Sequence, residues 1–401
     1  MHPKPILLRI TTVDLSLATL LKGQMRFMRD KGLAVVMLSA ASSLREQVIE
    51  HEGCPHLIVP MARQIALWQD WKCLWLMIRE MRRLRPDIVH AQTPKAGLLA
   101  MLAAKITGVP IRIQTVGGTP PDTEHSRLKR WIMHTTERLT FWAATQVWPN
   151  SFSLRDFILQ HQFAPPEKLT VIGFGSSNGI DLTQYCRAAL QPEPLQQLKT
   201  TLDYDPAKTY FLFVGRLLWD KGIVELVTAF LNFAATRPQV QLLLLGTVEA
   251  HRSPLPPSTL NAIASHPQIT VIGWSNQVEY YMAIAHYLIH PSHREGFPNV
   301  LLQAGAMQTP ILAADVVGNR DCIQHQITGY LFPKQNATAI ENALQFALEH
   351  PTDMQHYAQT WYQQIITRFE RKQVQQYYYE KYCELLGGDA FKTSGNHATL
   401  P

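Results

Sequence analysis

Short apolar runs of strand length alternate with amphipathic stretches of helical period, and the alternation runs through the chain twice. Few folds accept that pattern, because strand–helix–strand repeats close most simply into a parallel sheet covered on both faces. In the first series, strand-like runs at 6–10, 34–38, 57–59, 88–91, 111–115, 146–148 and 169–172 are separated by helical stretches at 18–31, 44–51, 71–84, 97–106 and 128–144. Residues 183–207 break the pattern with Pro, Gln and other polar residues and read as a linker. The second series places strands at 210–214, 241–245, 270–272, 287–290 and 311–314, with helices at 223–236, 259–265, 278–285 and 300–308. The expectation is an α/β chain of two Rossmann-like parallel-sheet domains, 1–185 and 205–369, facing a central cleft at the carboxyl ends of their strands. A helical stretch at 353–386 follows, its last part (about 370–386) expected to pack back on the first domain, and 387–401 reads as a flexible tail.

At 401 residues with 46% hydrophobic content, the chain exceeds one ordinary core, while 17% charged residues exclude a disordered chain. No secretory leader is expected before the first strand, and no apolar run approaches the roughly 20 residues that span a bilayer. The five cysteines (Cys54, Cys73, Cys186, Cys322, Cys383) are scattered, without metal-site spacing. A cytoplasmic location is expected. Up to residue 187 there are 23 Lys+Arg against 14 Asp+Glu, so the positive field is one-sided and suits a nucleic acid or an anionic membrane.

Two segments carry chemistry. In the first, FLFVGRLLWDKG, Gly215 ends a strand, and Arg216 and Lys221 place two cations at a helix N-terminus. Fixed amides, a favourable dipole and two charge-assisted partners suit a diphosphate. In the second, HPSHREGFPNVLLQAG, an apolar strand enters a polar loop with Glu295 at its tip, and Pro298 opens a helix whose free amides again face an anion. Gln303 lies eight positions beyond Glu295, so the two can hold hydroxyls at opposite ends of one ligand.

These segments resemble the family 4 retaining glycosyltransferases of the GT-B fold, whose signatures are a G-R-x-x-x-x-K-G loop and an E-x7-E element. The segments PDIVHAQTPKAG (86–97) and GFGSSNGID (173–181) extend the resemblance to capsule, exopolysaccharide and O-antigen assembly members. It implies a hexosyltransferase moving sugar from a nucleotide diphosphate carrier, a UDP-sugar for preference, to a lipid-linked saccharide. Carried over by position, Gly215, Arg216 and Lys221 would hold the diphosphate and Glu295 the transferred sugar. Phe297, Pro298 and the amides of Asn299, Val300 and Leu301 would border the phosphate, Gly273 and Trp274 the base, and Gln303 the ribose. On the acceptor side the resemblance points to His90, Lys95, Thr115, Gly117 and Asn178, with His90 the candidate for handling the acceptor hydroxyl. Two departures stand out: Gln303 replaces the second glutamate, and Gly117 stands where relatives often carry a histidine.

Because Arg216, Lys221 and helix amides can stabilise the departing diphosphate, neither metal nor cofactor is expected. Asp203-Tyr-Asp205 resembles a metal-binding D-x-D but sits beside Pro206 in ordinary turn chemistry, and His286, His290 and His293 straddle a strand and a loop. Tryptophans 68, 71 and 75 interleave with Lys72, Arg79, Arg82, Arg83 and Arg85, and Arg127, Lys129, Arg130 and Trp131 form a second such group. That composition suits peripheral binding at the inner face of a membrane, or a packed Trp stripe with a solvated basic side. No nucleic-acid recognition motif accompanies the charge. The alternatives are a nucleotide-sugar 2-epimerase on the same fold and a degenerate, non-catalytic sugar-binding member.

Overall fold

The computed structural model describes residues 4–62, 64, 66–118, 127–249 and 253–387. The chain divides into two compact units. The first runs to Asn178 and takes back the chain from Lys372; the second is Gly179–Arg371.

In the first unit β1 (Ile6–Val13), β2 (Ala34–Ala40), β3 (His56–Ile58), β4 (Ile88–Gln92), β5 (Ile111–Val116) and β6 (Gln146–Pro149) form one parallel sheet in the order β3-β2-β1-β4-β5-β6. Its helices are α1 (Asp14–Thr19), α2 (Gln24–Asp30), α3 (Arg45–Glu52), α4 (Leu67–Leu84), α5 (Pro94–Ile106), α6 (Arg127–Ala143) and α7 (Phe152–Gln160). The strand order reverses direction at β1/β4, which sends α4, α5 and α6 to the face opposite α2 and α3. The helix expected over 18–31 is two helices, broken at Gly23 in the left-handed region. The strand expected at 169–172 contributes only a bridge between Leu169 and Val147.

The second unit repeats the plan with β7 (Thr209–Val214), β8 (Val240–Leu245), β9 (Ile269–Gly273), β10 (Tyr287–His290), β11 (Ile311–Ala314) and β12 (Tyr330–Phe332), ordered β12-β11-β10-β7-β8-β9. Buried on both faces, these strands read as continuous apolar runs such as YFLFV and LLLL. Around them lie α8 (Pro192–Thr201), α9 (Ile223–Ala234), α10 (Pro257–Ser265), α11 (Val278–Ile284), α12 (Asn299–Ala306), α13 (Asn319–Cys322), α14 (Ala337–Glu349) and α15 (Pro351–Arg368). The expected linker therefore contains a helix, α8, with Pro192 in its first turn.

The last helix, α16 (Arg371–Leu385), belongs to the first unit, where Val374, Tyr378 and Tyr382 sit fully buried in a core shared with Leu7, Ile88, Ile113 and Trp148. The expected tail, beyond residue 387, lies outside the described residues.

Candidate donor site at the carboxyl edge of the second sheet

Two backbone crossings force the chain to use glycine here. Gly222 has φ +72°, and a Cβ on it would lie 2.1 Å from the Pro291 carbonyl oxygen. Gly318, at φ +85°, would place a Cβ 2.2 Å from the Gly296 oxygen. Only residues without a side chain allow such approach in the left-handed region. The turn after β7, the loop after β10 and the turn after β11 are thereby stacked backbone on backbone. The first two are also hydrogen-bonded, His293 N donating to Asp220 O at 3.0 Å. The turns after β8 and β9 join the same edge through a Gly246–Gly273 bridge, and Leu217 N donates to Thr247 O at 2.9 Å.

Lys221 and Glu295 meet across that stack, with Nζ 2.5 Å from Oε1 and their side chains 21% and 14% exposed. His290 Nε2 lies 3.1 Å from the same oxygen, near enough for electrostatic contact although its N–H axis misses it. Burial alone would raise the Glu295 carboxyl, but the Lys221 ammonium and His290 outweigh it and hold the group well below the usual carboxylate range. Arg216 reaches away to Glu249 at 3.2 Å, with both side chains about two-fifths exposed, 39% and 41%. An exposed pair of that kind is worth at most ~1 kcal/mol, so an arriving anion competes for Arg216 easily.

Among the other expected donor residues, Pro298 precedes α12 and the first helical residues Asn299 and Val300 are exposed or half-buried. Leu301 N already donates to Pro298 O at 3.1 Å, and its side chain is core. Phe297 also points into the core, packing on Phe369 with ring centroids 5.4 Å apart, so only its backbone faces the edge. Gly273 turns at φ +81° and leaves Trp274 76% exposed, an open aromatic platform beside the edge. Gln303 donates from Nε2 to the buried Tyr185 hydroxyl at 2.6 Å.

The acceptor-side expectations fare differently. His90 is not at a surface: it is 0% exposed on β4, with Nδ1 2.5 Å from the Tyr382 hydroxyl and Nε2 2.6 Å from Thr115 Oγ1. Burial pushes its imidazole well below the ordinary value, so it stays neutral as a core residue, and Thr115 is used up with it. Asn178 is likewise structural, holding Lys22 O and Gln375 Nε2 at 2.9 Å each. Lys95 is paired with Asp70 at 2.6 Å and also donates to Gln64 O. Gly117 alone is open: a Cβ there meets nothing nearer than Asn150 Nδ2 at 3.9 Å.

The three histidines weighed as a cluster have separate partners. His286 Nδ1 accepts from Tyr210 N, His290 lies against Glu295, and His293 lies against Glu225 with its ring edge-on to Trp219. Asp205 accepts from Ala207 N in an ordinary turn. Among the described residues, no group of three or more His, Cys, Asp or Glu is placed to hold a metal ion.

Residues 197–364 match the family described as glycosyl transferases group 1, and residues 18–175 match a glycosyl transferase 4-like domain. A capsular polysaccharide biosynthesis glycosyltransferase, CapM of Staphylococcus aureus, is 32% identical over 84% of this chain and 86% of its own. The chain is a group 1 glycosyltransferase. An Escherichia coli UDP-Gal:alpha-D-GlcNAc-diphosphoundecaprenol alpha-1,3-galactosyltransferase is 22% identical to this glycosyltransferase over 71% of the chain and 72% of that protein. In fold it is similar to Anabaena HepE, crystallised with UDP and glucose, at TM-score 0.77 and 17% identity, covering 95% of this chain and all (100%) of that one. The lipopolysaccharide glycosyltransferase WaaG gives TM-score 0.70 at 15% identity, covering 94% and 99%. These neighbours share the GT-B fold.

Sequence reasoning missed three supports of this glycosyltransferase's site. Ser292 Oγ donates to Asp220 O and Arg294 O at 3.4 and 3.1 Å, bracing the loop that carries Glu295. His293 wedges between Trp219 and Glu225. Tyr185 holds Gln303 from a segment taken as linker. The signal for the Gly318 crossing was present, a Gly-Asn pair shortly after the apolar strand that ends at Ala314.

Proposed function

We propose that this glycosyltransferase takes a sugar from a nucleotide diphosphate donor, with UDP the favoured nucleotide, and transfers it with retention to a lipid-linked saccharide during polysaccharide assembly. The observation that carries the reading is the Lys221–Glu295 pair at the stacked carboxyl edge of the second sheet. The pair sets a cation for the diphosphate beside a carboxylate for sugar hydroxyls, both held before the donor arrives.

As the glycosyl bond breaks, negative charge grows on the diphosphate. Lys221 exchanges Glu295 for a phosphate oxygen, Arg216 exchanges Glu249, and the amides of Asn299 and Val300 add dipole from the start of α12. These groups neutralise the leaving group without a divalent ion. The departing phosphate takes the acceptor's proton, which agrees with a buried, neutral His90 having no part in the step. The Escherichia coli relative that acts on a diphosphoundecaprenol-linked sugar supports a lipid-linked acceptor, and CapM supports a role in polysaccharide assembly. Working at the cytoplasmic face of a membrane follows from such an acceptor, and among the described residues no helix is long and apolar enough to cross one.

The test is transfer in EDTA-treated enzyme. Wild type is expected to retain activity, and Arg216→Ala with Lys221→Ala to lose it by at least about a thousandfold, the scale of removing charge stabilisation from a transition state. Activity abolished by EDTA alone would refute the metal-free step.

A further inference from the structure

His290 ends β10, opposite Ala313 of β11, with only 4% of its surface exposed. Neither of its ring nitrogens makes a hydrogen bond among the described residues. A neutral imidazole carries one donor and one acceptor, and leaving both unmade inside a protein is costly. Buried polar atoms are nearly always paired, so an orphaned ring calls for a reason.

What the ring has beside it is charge. Nε2 lies 3.1 Å from Glu295 Oε1, the same oxygen that Lys221 Nζ approaches at 2.5 Å. Two groups able to carry positive charge therefore share one carboxylate oxygen. While Lys221 stays, the carboxylate is already neutralised, and a second cation beside it meets the first.

Donor binding changes that balance twice. Lys221 moves from Glu295 to a phosphate oxygen, which leaves a carboxylate only 14% exposed without its ammonium. The diphosphate also brings negative charge to the same edge. Both changes favour positive charge on the ring, because a buried charge is tolerated only when it is paired. Imidazole is the side chain that gains a proton near neutrality in answer to such a change. Protonating Glu295 instead is the poorer course: imidazole is the stronger base by about two pH units, and a protonated carboxyl gives up part of its capacity to accept from sugar hydroxyls.

The other charged groups on the elements around His290 have partners of their own. In the turn after β7 and the loop after β10, Arg294 pairs with Asp220 at 3.4 Å and His293 with Glu225 at 3.1 Å, while Arg216 reaches Glu249. In the turn after β11, Arg320 pairs with Asp315. On α13, burial, Asp321 and Glu295 hold the Cys322 thiol well above its ordinary value, so it neither gives nor takes a proton near neutrality.

We propose that binding of a nucleotide diphosphate sugar draws a proton from solvent onto His290, whose imidazolium then replaces Lys221 as the partner of Glu295 and holds that carboxylate on the sugar hydroxyls. The proton returns to solvent when the nucleotide leaves and Lys221 closes on Glu295 again. His290 is thus a positioning residue, acting on the sugar through Glu295. The inference rests on the proposed donor site and adds to it the proton that the exchange of partners requires.

The experiment is titration calorimetry of the full chain at about pH 7.5, in phosphate and in Tris, with the tightest binder from a panel of nucleotide diphosphate sugars led by UDP-glucose. Both phosphates of such a probe are esterified and do not titrate near neutrality, so the dependence of the heat on buffer ionisation counts protons moved by the protein. Wild type is expected to take up about half a proton or more. Because the proton binds with the donor, affinity should be greatest at low pH and weaken as pH rises, by at most about tenfold per pH unit. His290→Asn should bring the count to zero and flatten that dependence, and its melting temperature shows whether it is folded. His293→Gln should keep the count. Wild-type binding without proton uptake overturns the proposal whether or not any variant folds. Uptake that survives His290→Asn, or that disappears in His293→Gln, overturns it as well. Each of these results leaves the donor site standing, whereas a chain that binds none of the panel loses the donor site and this proton together.

Discussion

His90 carries the largest residue-scale consequence, because a charged imidazole has no place between Trp148, Tyr378 and Tyr382. Its folded value is depressed, so its contribution to stability is present above the unfolded value of about 6.5 and is lost as pH falls below it, by up to ~1.4 kcal/mol per pH unit. His90→Ala should cost about 2–4 kcal/mol at neutral pH, from a cavity and two unpaired hydroxyls, and the gap from wild type should narrow as pH falls; urea unfolding across that range reads both. Glu295 obeys the same sign at lower pH. Its stabilisation is complete above the unfolded carboxyl value of about 4.3 and fades as pH drops below it, and Glu295→Gln should remove that acid dependence at a cost of about 1–3 kcal/mol. At Gln303 the reverse change is informative. Gln303→Glu should tighten nucleotide binding by about fivefold in calorimetry, since a carboxylate takes both ribose hydroxyls with charge assistance. Unchanged affinity would remove Gln303 from the ribose. The segments proposed to bind the donor stand out in the sequence because Arg216 and Lys221, and then Glu295, lie in short contiguous stretches. His90, Asn178 and Lys95 were not legible in it: a strand-end histidine looks the same whether it faces solvent or Tyr382, and that tyrosine arrives from 292 positions away.

At the scale of elements, the stacked turns matter more than any one of their side chains. Gly222→Ala forces a methyl into the Pro291 carbonyl in a left-handed turn, so the loops after β7 and β10 must separate. Donor affinity and transfer should fall at least about tenfold, while the melting temperature drops only modestly, as expected for about 1–2 kcal/mol of strain at a turn. Normal donor affinity in Gly222→Ala would mean that the stacking does not set the distance between Lys221 and Glu295. Strands were readable because fully buried parallel strands are apolar throughout, and α8 was missed because its sequence, PEPLQQLKTT, is polar and half-exposed. The break at Gly23 hid in an otherwise continuous helical period; Glu52, accepting from the Gly23 and Arg26 amides, supplies the cap for the new start from a distant helix.

At the scale of the whole molecule, the core clusters of the second unit are complete within residues 179–371, whereas the first unit's core needs Val374, Tyr378 and Tyr382 from the far end of the chain. The fragment 179–371 should therefore melt cooperatively alone, and the fragment 1–178 should not; circular dichroism of the two decides it. The chain's two passages run side by side within the second unit, Ile180 pairing with Glu370 and Arg371 bonded to Asp181 at 3.0 Å. Composition and period announced two α/β bodies but not where the last helix belongs, because a helix's buried stripe does not name its partner. A crystal structure with a nucleotide diphosphate sugar bound decides which anion Lys221 serves. Lys221 Nζ and the Arg216 guanidinium should leave Glu295 and Glu249 and lie within about 3.2 Å of phosphate oxygens, with Glu295 on the sugar hydroxyls. A bound diphosphate with Lys221 still on Glu295 and Arg216 still on Glu249 would contradict it.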